Sequence, residues 1–333
     1  MLKKGLVLLT AMVLLMGLTA PGLAQSLPQK VVIGTQTLAD PEGIAKEEQW
    51  LSEAMGTEVD IVHFDAGRDV NTAMAAGSID FGILGSVPAA LAVANGVACK
   101  VIYIQSVLGE VESLAVRESL NVTDAAGLKG LTIATPFSST SHYSLLKYLE
   151  CMGVAPAEVD VVDMKASETV AAFIRGDIDG AFIWDPQVTE LVHNGAVILT
   201  SAKEVAKLGY ATMDVEIVSA KFAQAYPELV AAYVRCMDRA VALYNADPAA
   251  AGAALSANIG LTAEECLRQV ASSTWLTVQE QLSEVWFGGA ALTDNLYETA
   301  MFLYDQGNLA AEPSRDAFAA AVDAQYLAAA QQP

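Results

Sequence analysis

Apolar and polar positions follow two rhythms along this chain, and each rhythm predicts one type of element. Short apolar runs bounded by Gly, Pro or Asp predict buried strands, and apolar residues spaced three and four apart predict helices. In the first hundred residues the predicted strands are 31–36, 58–64 and 80–84, and the predicted helices between them are 42–55 and 69–76. The order strand, helix, strand, helix, strand is typical of an α/β unit with a parallel sheet.

The same pattern returns about one hundred residues later. Residues 58–62 match 158–162, and residues 76–82 match 175–181. The predicted strands of this second copy are 131–135, 159–163 and 180–183, with predicted helices at 141–152 and 168–174. Two copies predict two similar doubly wound lobes. Ligands of such sheets bind at the carboxyl ends of the strands, so we expect a cleft between the lobes.

The segments between and after the two copies predict how the lobes are joined. Strand-like residues 100–107 and 113–116 lead from the first lobe to the second, and 215–218 lead back. The alanine-rich remainder has helical periodicity and is expected to pack on the first lobe. We therefore predict a discontinuous lobe I, residues 25–112 plus 215–333, and a lobe II of residues 113–214, joined by a two-strand hinge.

The amino terminus has the pattern of a secretory signal peptide. Two lysines precede an apolar run that is shorter than a membrane span, and small residues follow at Gly22 and Ala24. We expect cleavage after residue 24, export to the periplasm and, because no cysteine follows the leader, no lipid anchor. The formal net charge of -21 argues against a nucleic-acid partner or an anionic membrane surface.

Candidate binding residues lie in the loops after the predicted strands. Ser86 and Asp185 occupy equivalent places in the two copies, and either could cap a helix or contact a ligand. Ser138, Ser139 and Thr140 precede an amphipathic run, so hydroxyls and free amides would meet at a helix start. Such a cradle suits an anion, and a sulfonate in particular needs several donors; simple capping is the alternative.

Three further side chains are candidates. Asp214 lies where the chain should cross the hinge and could pair with a ligand ammonium, or it could be a solvated turn residue. Trp184 ends a strand and could form a ligand wall or belong to the core. His142 could donate to an anion or be a satisfied helix residue.

No motif of catalysis, metal binding or nucleotide binding is present, and no cofactor is expected. The four cysteines form no CxxC motif. Cys236 and Cys266 both lie on predicted helices and could form a disulfide, or they could be buried thiols.

These loops resemble those of the taurine-binding periplasmic proteins of ABC importers, within the nitrate, sulfonate and taurine solute-binding family. The resemblance covers nearly the whole chain after the leader, and it is carried by 35–37, 84–88, 136–146, 176–181 and 212–215. It implies a type II periplasmic binding protein fold whose lobes close by hinge motion on a taurine-like sulfonate. It also implies delivery to an ABC permease in the inner membrane, and we expect a monomer.

Carried over by position, the resemblance gives ligand roles to six of the residues already singled out, and it adds Gln36, which follows the first strand. The seven residues are Gln36, Ser86, Ser139, Thr140, His142, Trp184 and Asp214. Asp185 departs from the family pattern, in which a small residue follows the tryptophan, and adds a charge at the cleft. Alternative ligands are an alkanesulfonate, nitrate or another small zwitterion. Alternative functions are a ligand-sensing module of a membrane receptor or an enzyme on the same fold.

Overall fold

The computed structural model describes residues 26–332, so the predicted signal peptide lies outside the described residues. The chain forms two five-stranded sheets flanked by helices. The ten strands are β1 Lys30–Thr35, β2 Glu58–His63, β3 Phe81–Gly85, β4 Cys99–Val107, β5 Glu112–Arg117, β6 Thr132–Thr135, β7 Asp160–Asp163, β8 Gly180–Trp184, β9 Ala196–Ser201 and β10 Met213–Ser219. This α/β architecture is the predicted one. Strand β9 was not predicted.

Both sheets have the same plan. The strand order is β2-β1-β3-β10-β4 in the first and β7-β6-β8-β5-β9 in the second. Thr35 pairs with His63 and Thr135 pairs with Asp163, so the register of the two copies agrees at an offset of one hundred residues. This agreement is the structural basis of the sequence repeat.

Both sheets are mixed, whereas the alternation of strands and helices predicted parallel sheets. Strand β10 runs antiparallel to β3 and β4, and β5 runs antiparallel to β8 and β9. Each of these strands enters its sheet directly from the other lobe. Because it arrives at the edge that faces the cleft, it must run away from that edge, opposite to the parallel strands.

The chain crosses between the sheets twice. It passes from β4 to β5 through residues 108–111 and returns to β10 through 208–212. The Leu108 amide donates to the Thr212 carbonyl at 3.0 Å, which ties the two crossings together. The chain therefore enters the second sheet at Glu112 and returns to the first sheet at Met213. These positions are one residue before the predicted boundary at 113 and two residues before the predicted boundary at 215.

Sixteen α-helices in the described chain surround the sheets. They are α1 Pro41–Glu47, α2 Trp50–Met55, α3 Gly67–Ala75, α4 Ser86–Ala94, α5 Thr140–Cys151, α6 Ala166–Arg175, α7 Gln187–His193, α8 Ala202–Lys207, α9 Ala220–Ala225, α10 Pro227–Ala246, α11 Pro248–Ile259, α12 Ala263–Ala271, α13 Val278–Gln281, α14 Ala291–Asp305, α15 Arg315–Ala321 and α16 Gln325–Ala330. The single helix predicted over 42–55 is wrong. It is two helices, because Gln49 adopts a left-handed backbone conformation with φ of 61°.

The helices after β10 share one core with the first sheet. Tyr233 of α10 stacks on Phe81 of β3 with ring centroids 4.7 Å apart, and both side chains are fully buried. The second sheet has its own cores on its two faces, around Leu145 and around Phe173. Each lobe thus has a core of its own, although Tyr143 of α5 packs into the core of the first lobe.

The four cysteines, all within the described residues, are free thiols. Cys236 and Cys266 therefore form no disulfide here. Between residues 26 and 332 no helix is both long enough and apolar enough to cross a bilayer.

Candidate functional site

A cavity lies between the two sheets, at the carboxyl ends of their parallel strands. Residues at or after the ends of β1, β2, β3, β6 and β8 line it, together with residues of the first crossing and Asp214 of β10. Its volume is about 40 Å³ for the centres of water-sized spheres. On that measure one water needs about 10 to 15 Å³. The cavity therefore has room for about three to four waters, or for one small organic molecule in their place.

The starts of three helices converge on this cavity. Gly67 begins α3, Gly85 precedes α4 and Thr140 begins α5, and all three residues line it. A Cβ atom on Gly67 would lie 2.6 Å from Pro88 of α4, and one on Gly85 would lie 2.6 Å from Thr140 of the other lobe. Glycine at position 85 is therefore what lets the two lobes approach so closely. The three helix starts bring unpaired amides and partial positive charge to one place.

The start of α5 is built as the sequence predicted for an anion cradle. Ser139 is its N-cap, and the Ser139 hydroxyl accepts from the His142 amide at 3.1 Å. The amides of Thr140 and Ser141 have no preceding carbonyl to bond within the helix. The first turn of α5 contains no acidic residue of its own, so its amides can bind an anionic group.

Three carboxyl groups form the opposite part of the lining. They are Asp40, which caps α1, Glu112, the first residue of β5, and Asp214, in β10. Burial raises the pKa of Asp40 and of Asp214 to about 7, and the pKa of Glu112 to about 8. The acids also raise one another's pKa, because Asp40 acts on Asp214 and Asp214 acts on Glu112. Within residues 26–332 the lining contains no Lys, Arg or His.

The two parts of the lining meet at one hydrogen bond. The Thr140 hydroxyl donates to Glu112 Oε1 at 2.5 Å. In the described chain Glu112 Oε2 has no hydrogen-bond partner, although the residue is only 3% exposed. An unpaired buried carboxyl oxygen costs free energy unless a donor reaches it. The helix start and the acids are thus close enough for one small ligand to touch both.

A second layer of acids lies behind Asp40 and Asp214. Tyr233 lies with its hydroxyl 2.7 Å from Glu216 and 3.3 Å from Glu42, and the Gln105 amide donates to Glu216 at 3.0 Å. Burial raises the pKa of Glu216 to about 8 and raises that of Glu42 well above its usual range. These buried groups therefore hold protons near neutral pH and add hydrogen-bonding groups, not negative charge, behind the acid side.

Trp184 and Asp185 close the wall at the end of β8. Trp184 is buried and lines the cavity, and its backbone is paired with Glu112. Asp185 Oδ1 accepts from both the amide and the hydroxyl of Thr189, at 2.9 and 2.7 Å. Burial raises the pKa of Asp185, while nearby Arg268 opposes that rise. Asp185 therefore has a capping role and also faces the cavity.

The structure brings six of the nine predicted site residues to the cavity lining, namely Gln36, Ser139, Thr140, Trp184, Asp185 and Asp214. Ser86, Ser138 and His142 lie outside it. The Ser86 hydroxyl accepts from the Met213 amide, and Gly85 rather than Ser86 is the N-cap of α4. His142 Nδ1 accepts from the Ser138 amide at 3.4 Å, and burial lowers the pKa of His142 to about 4. His142 is therefore neutral. Its ring stacks on Phe137 and stabilises the loop that contains Ser138, and it supplies no positive charge to the cavity.

Five polar residues of the lining were not predicted from the sequence, namely Asp40, Ser106, Glu112, Gln269 and Ser273. Asp40 had a local signal, because an Asp before a proline is a typical helix start. Ser106 and Glu112 had none, since each is one polar residue at the end of an apolar strand. The Ser106 hydroxyl lies 3.5 Å from Asp214, and only the pairing of β4 with β10 brings them together.

Two α/β lobes are connected by two chain crossings, and a ligand-sized cavity lies between them. This arrangement defines a solute-binding protein of the type II periplasmic binding fold. The chain belongs to the NMT1/THI5-like family, whose model matches residues 41–251. It is 34% identical over 287 residues to the taurine-binding periplasmic protein of Escherichia coli K12, covering 84% of this chain and 88% of that protein.

Two other proteins are similar over most of the chain. The putative aliphatic sulfonates-binding protein of Bacillus subtilis 168 is 29% identical, covering 72% of this chain and 74% of that protein. The alkanesulfonate-binding protein of Xanthomonas axonopodis pv. citri, solved with bound MOPS, is similar with a TM-score of 0.74 and 25% identity. That alignment covers 90% of this chain and 99% of the solved one.

Proposed function

We propose that this protein is an extracytoplasmic solute-binding protein that captures taurine, or a closely related small aminosulfonate, and delivers it to an ABC permease. The observation that carries the proposal is the division of the cavity lining. One part consists of helix starts without an acidic cap, and the other consists of Asp40, Glu112 and Asp214 without a basic partner in the lining. The ligand that suits both parts carries an anionic group and an ammonium.

The anionic end of such a ligand would be held at the start of α5. Ser139, Thr140 and the amides of the first turn offer several donors, and the starts of α3 and α4 add to the local positive potential. A sulfonate has three oxygens and stays ionised, so several fixed donors hold it without a change in protonation. Gln36, buried after β1, is a further side chain that we assign to the ligand.

The ammonium end would be held by Asp214, Asp40 and the free oxygen of Glu112. A buried, unpaired carboxylate is costly, and an ammonium would remove that cost by pairing with it. The contact between Thr140 and Glu112 places the two ends of the lining side by side. A ligand with a short chain between its two charges suits two sites that lie side by side.

Plain alkanesulfonates and nitrate fit this lining less well. Either anion would meet four carboxyl groups, with Asp185 as the fourth, and no ammonium would offset them. The relatives named above are binding proteins, which supports transport over catalysis. A ligand-sensing module would share the cavity, and a permease encoded beside the gene would argue for transport.

Calorimetric titration tests the proposal with taurine and with two ligands that each lack one end. Ethanesulfonate lacks the ammonium, and ethylamine lacks the sulfonate. We expect taurine to bind at least about thirtyfold more tightly than either, because a buried charge that loses its partner costs about 2 kcal/mol or more. Ethanesulfonate binding as tightly as taurine would contradict the assignment of the acids. If none of the three ligands bound, the proposed ligand class would be wrong.

A further inference from the structure

Two ion pairs join the lobes on the side of the cleft that is farthest from the hinge. Arg68 of α3 contacts Asp163 at the end of β7, with Arg68 Nη1 3.1 and 3.0 Å from the two carboxylate oxygens. Lys165 lies 3.5 Å from Asp65, which follows β2. Strands β2 and β7 are the outer strands of their sheets, and the crossings are at the opposite edges. Opening of the lobes about the crossings would therefore separate these pairs most.

The second pair follows from the internal repeat. Because Thr35 pairs with His63 and Thr135 with Asp163, positions 65 and 165 are equivalent in the two copies. These two equivalent positions are in contact across the cleft. Two identical side chains there would repel if charged, and this chain has opposite charges instead.

The first pair is linked to the loop that carries the anion cradle. Asp163 Oδ1 accepts from the Phe137 amide at 2.9 Å, so the same carboxylate contacts lobe I and fixes the start of the loop that leads to Ser139 and Thr140. Phe137 in turn stacks on His142, with ring centroids 4.4 Å apart. Arg68 follows Gly67, which lines the cavity.

We propose that the pairs Arg68–Asp163 and Asp65–Lys165 form a latch across the cleft mouth that slows ligand release, with Asp163 also positioning the loop that holds the ligand anion. The four residues do not line the cavity, so they act through lobe closure and through the loop rather than by touching the ligand. Their side chains are about one third to one half exposed, which makes the pairs sensitive to salt.

The kinetic test rests on the proposed function, because it needs taurine as the ligand. Arg68→Gln should release taurine about threefold faster at low ionic strength, as expected for the loss of one exposed ion pair, with little change in the association rate. The difference should disappear at about 1 M salt, where charges are screened within about 3 Å. Stopped-flow measurements over a salt series would give both rates.

Lys30→Gln is the matched control. Lys30 pairs with Asp60 at 3.0 Å, and the exposure of that pair is similar, but both partners belong to lobe I. It should release taurine like the parent protein. Lys165→Asp should also speed release, and adding Asp65→Lys to it should restore the slow rate. Equal rates for the Arg68 and Lys30 variants, or a salt-independent difference, would overturn the latch.

A ligand-free measurement separates the latch from the proposed function. In a Cys151→Ser background, which removes the exposed native thiol, Asp65→Cys and Lys165→Cys are joined by a short bifunctional thiol reagent. Adding Arg68→Gln should lower the rate of cross-linking, whereas adding Lys30→Gln should not. If taurine does not bind, this result still decides whether the charges favour the closed state, and equal cross-linking rates reject it.

Discussion

Asp40 and Ser139 are both helix N-caps, one in each lobe, but they give the two sides of the cavity different electrostatic properties. Each follows the first strand of its copy and caps the next helix, accepting from the amide three residues later at 2.9 and 3.1 Å. The pKa of the buried Asp40 rises to about 7, whereas Ser139 has no charge to neutralise the dipole of α5. One position in the repeat can thus favour a cation in one lobe and an anion in the other.

Removing the acid side should have the largest effect. Asp214→Asn should weaken taurine binding by about 2 to 5 kcal/mol, because the ligand ammonium would lose a buried carboxylate partner. Ethanesulfonate should bind the variant at least as well as it binds the parent, since it has no ammonium to lose. Calorimetry with both ligands would measure the change. Unchanged taurine affinity would remove Asp214 from the site.

Making the two caps alike should have the next largest effect. Ser139→Asp keeps an N-cap but places a carboxylate beside the ligand anion, which should cost about 3 kcal/mol of taurine affinity. Thermal stability should not fall, because Asp caps helices as well as Ser does. Asp40→Asn, the converse change, should also keep the cap while weakening taurine. Loss of stability in parallel with affinity would mean that the caps act only on folding.

A further expected effect is a pH dependence of the stability of the ligand-free protein. The pKa values of Asp214 and Glu112 are raised to about 7 and about 8, so the folded state holds protons that the unfolded state releases at lower pH. The free energy of unfolding should therefore fall as pH rises from about 5 to 8, by more than about 1 kcal/mol for each of the two groups. Taurine should stabilise the protein more at pH 8, because its ammonium favours the ionised acids.

Thermal unfolding at several pH values, with and without taurine, would measure this dependence. The Asp214→Asn variant should show a shallower fall, since it removes one of the titrating groups. A ligand effect that is independent of pH would contradict proton release on binding.

Much of the fold was predictable because its signals are local. The strands of both copies lie within one or two residues of the predicted ones, since each is a short apolar run with turn residues at its ends. Strand β9 was missed although its residues 196–199 form a short apolar run after Gly195; it is an edge strand whose Val197 and Ile198 are exposed. The break between α1 and α2 depends on the backbone of Gln49, which hydrophobic periodicity does not show.

The candidate site divides in the same way. The cradle at Ser139 and Thr140 is contiguous in sequence, so its hydroxyls and the helix start that follows were visible together. The placement of His142 was not, because its ring could point toward the cavity or onto Phe137, and packing with Phe137 and Ser138 decided between them. Ser86 likewise faces the Met213 amide only because β10 lies beside β3.

The sequence by itself determined two similar α/β lobes, the order of their elements and a helix start suited to an anion, because periodicity, caps and turns depend on near neighbours. The tertiary structure decided that Asp40, Glu112 and Asp214 meet, since a helix cap and two strands from separate crossings come together only when both sheets have formed. Carboxyl groups far apart in the chain do not affect one another's pKa until folding buries them side by side.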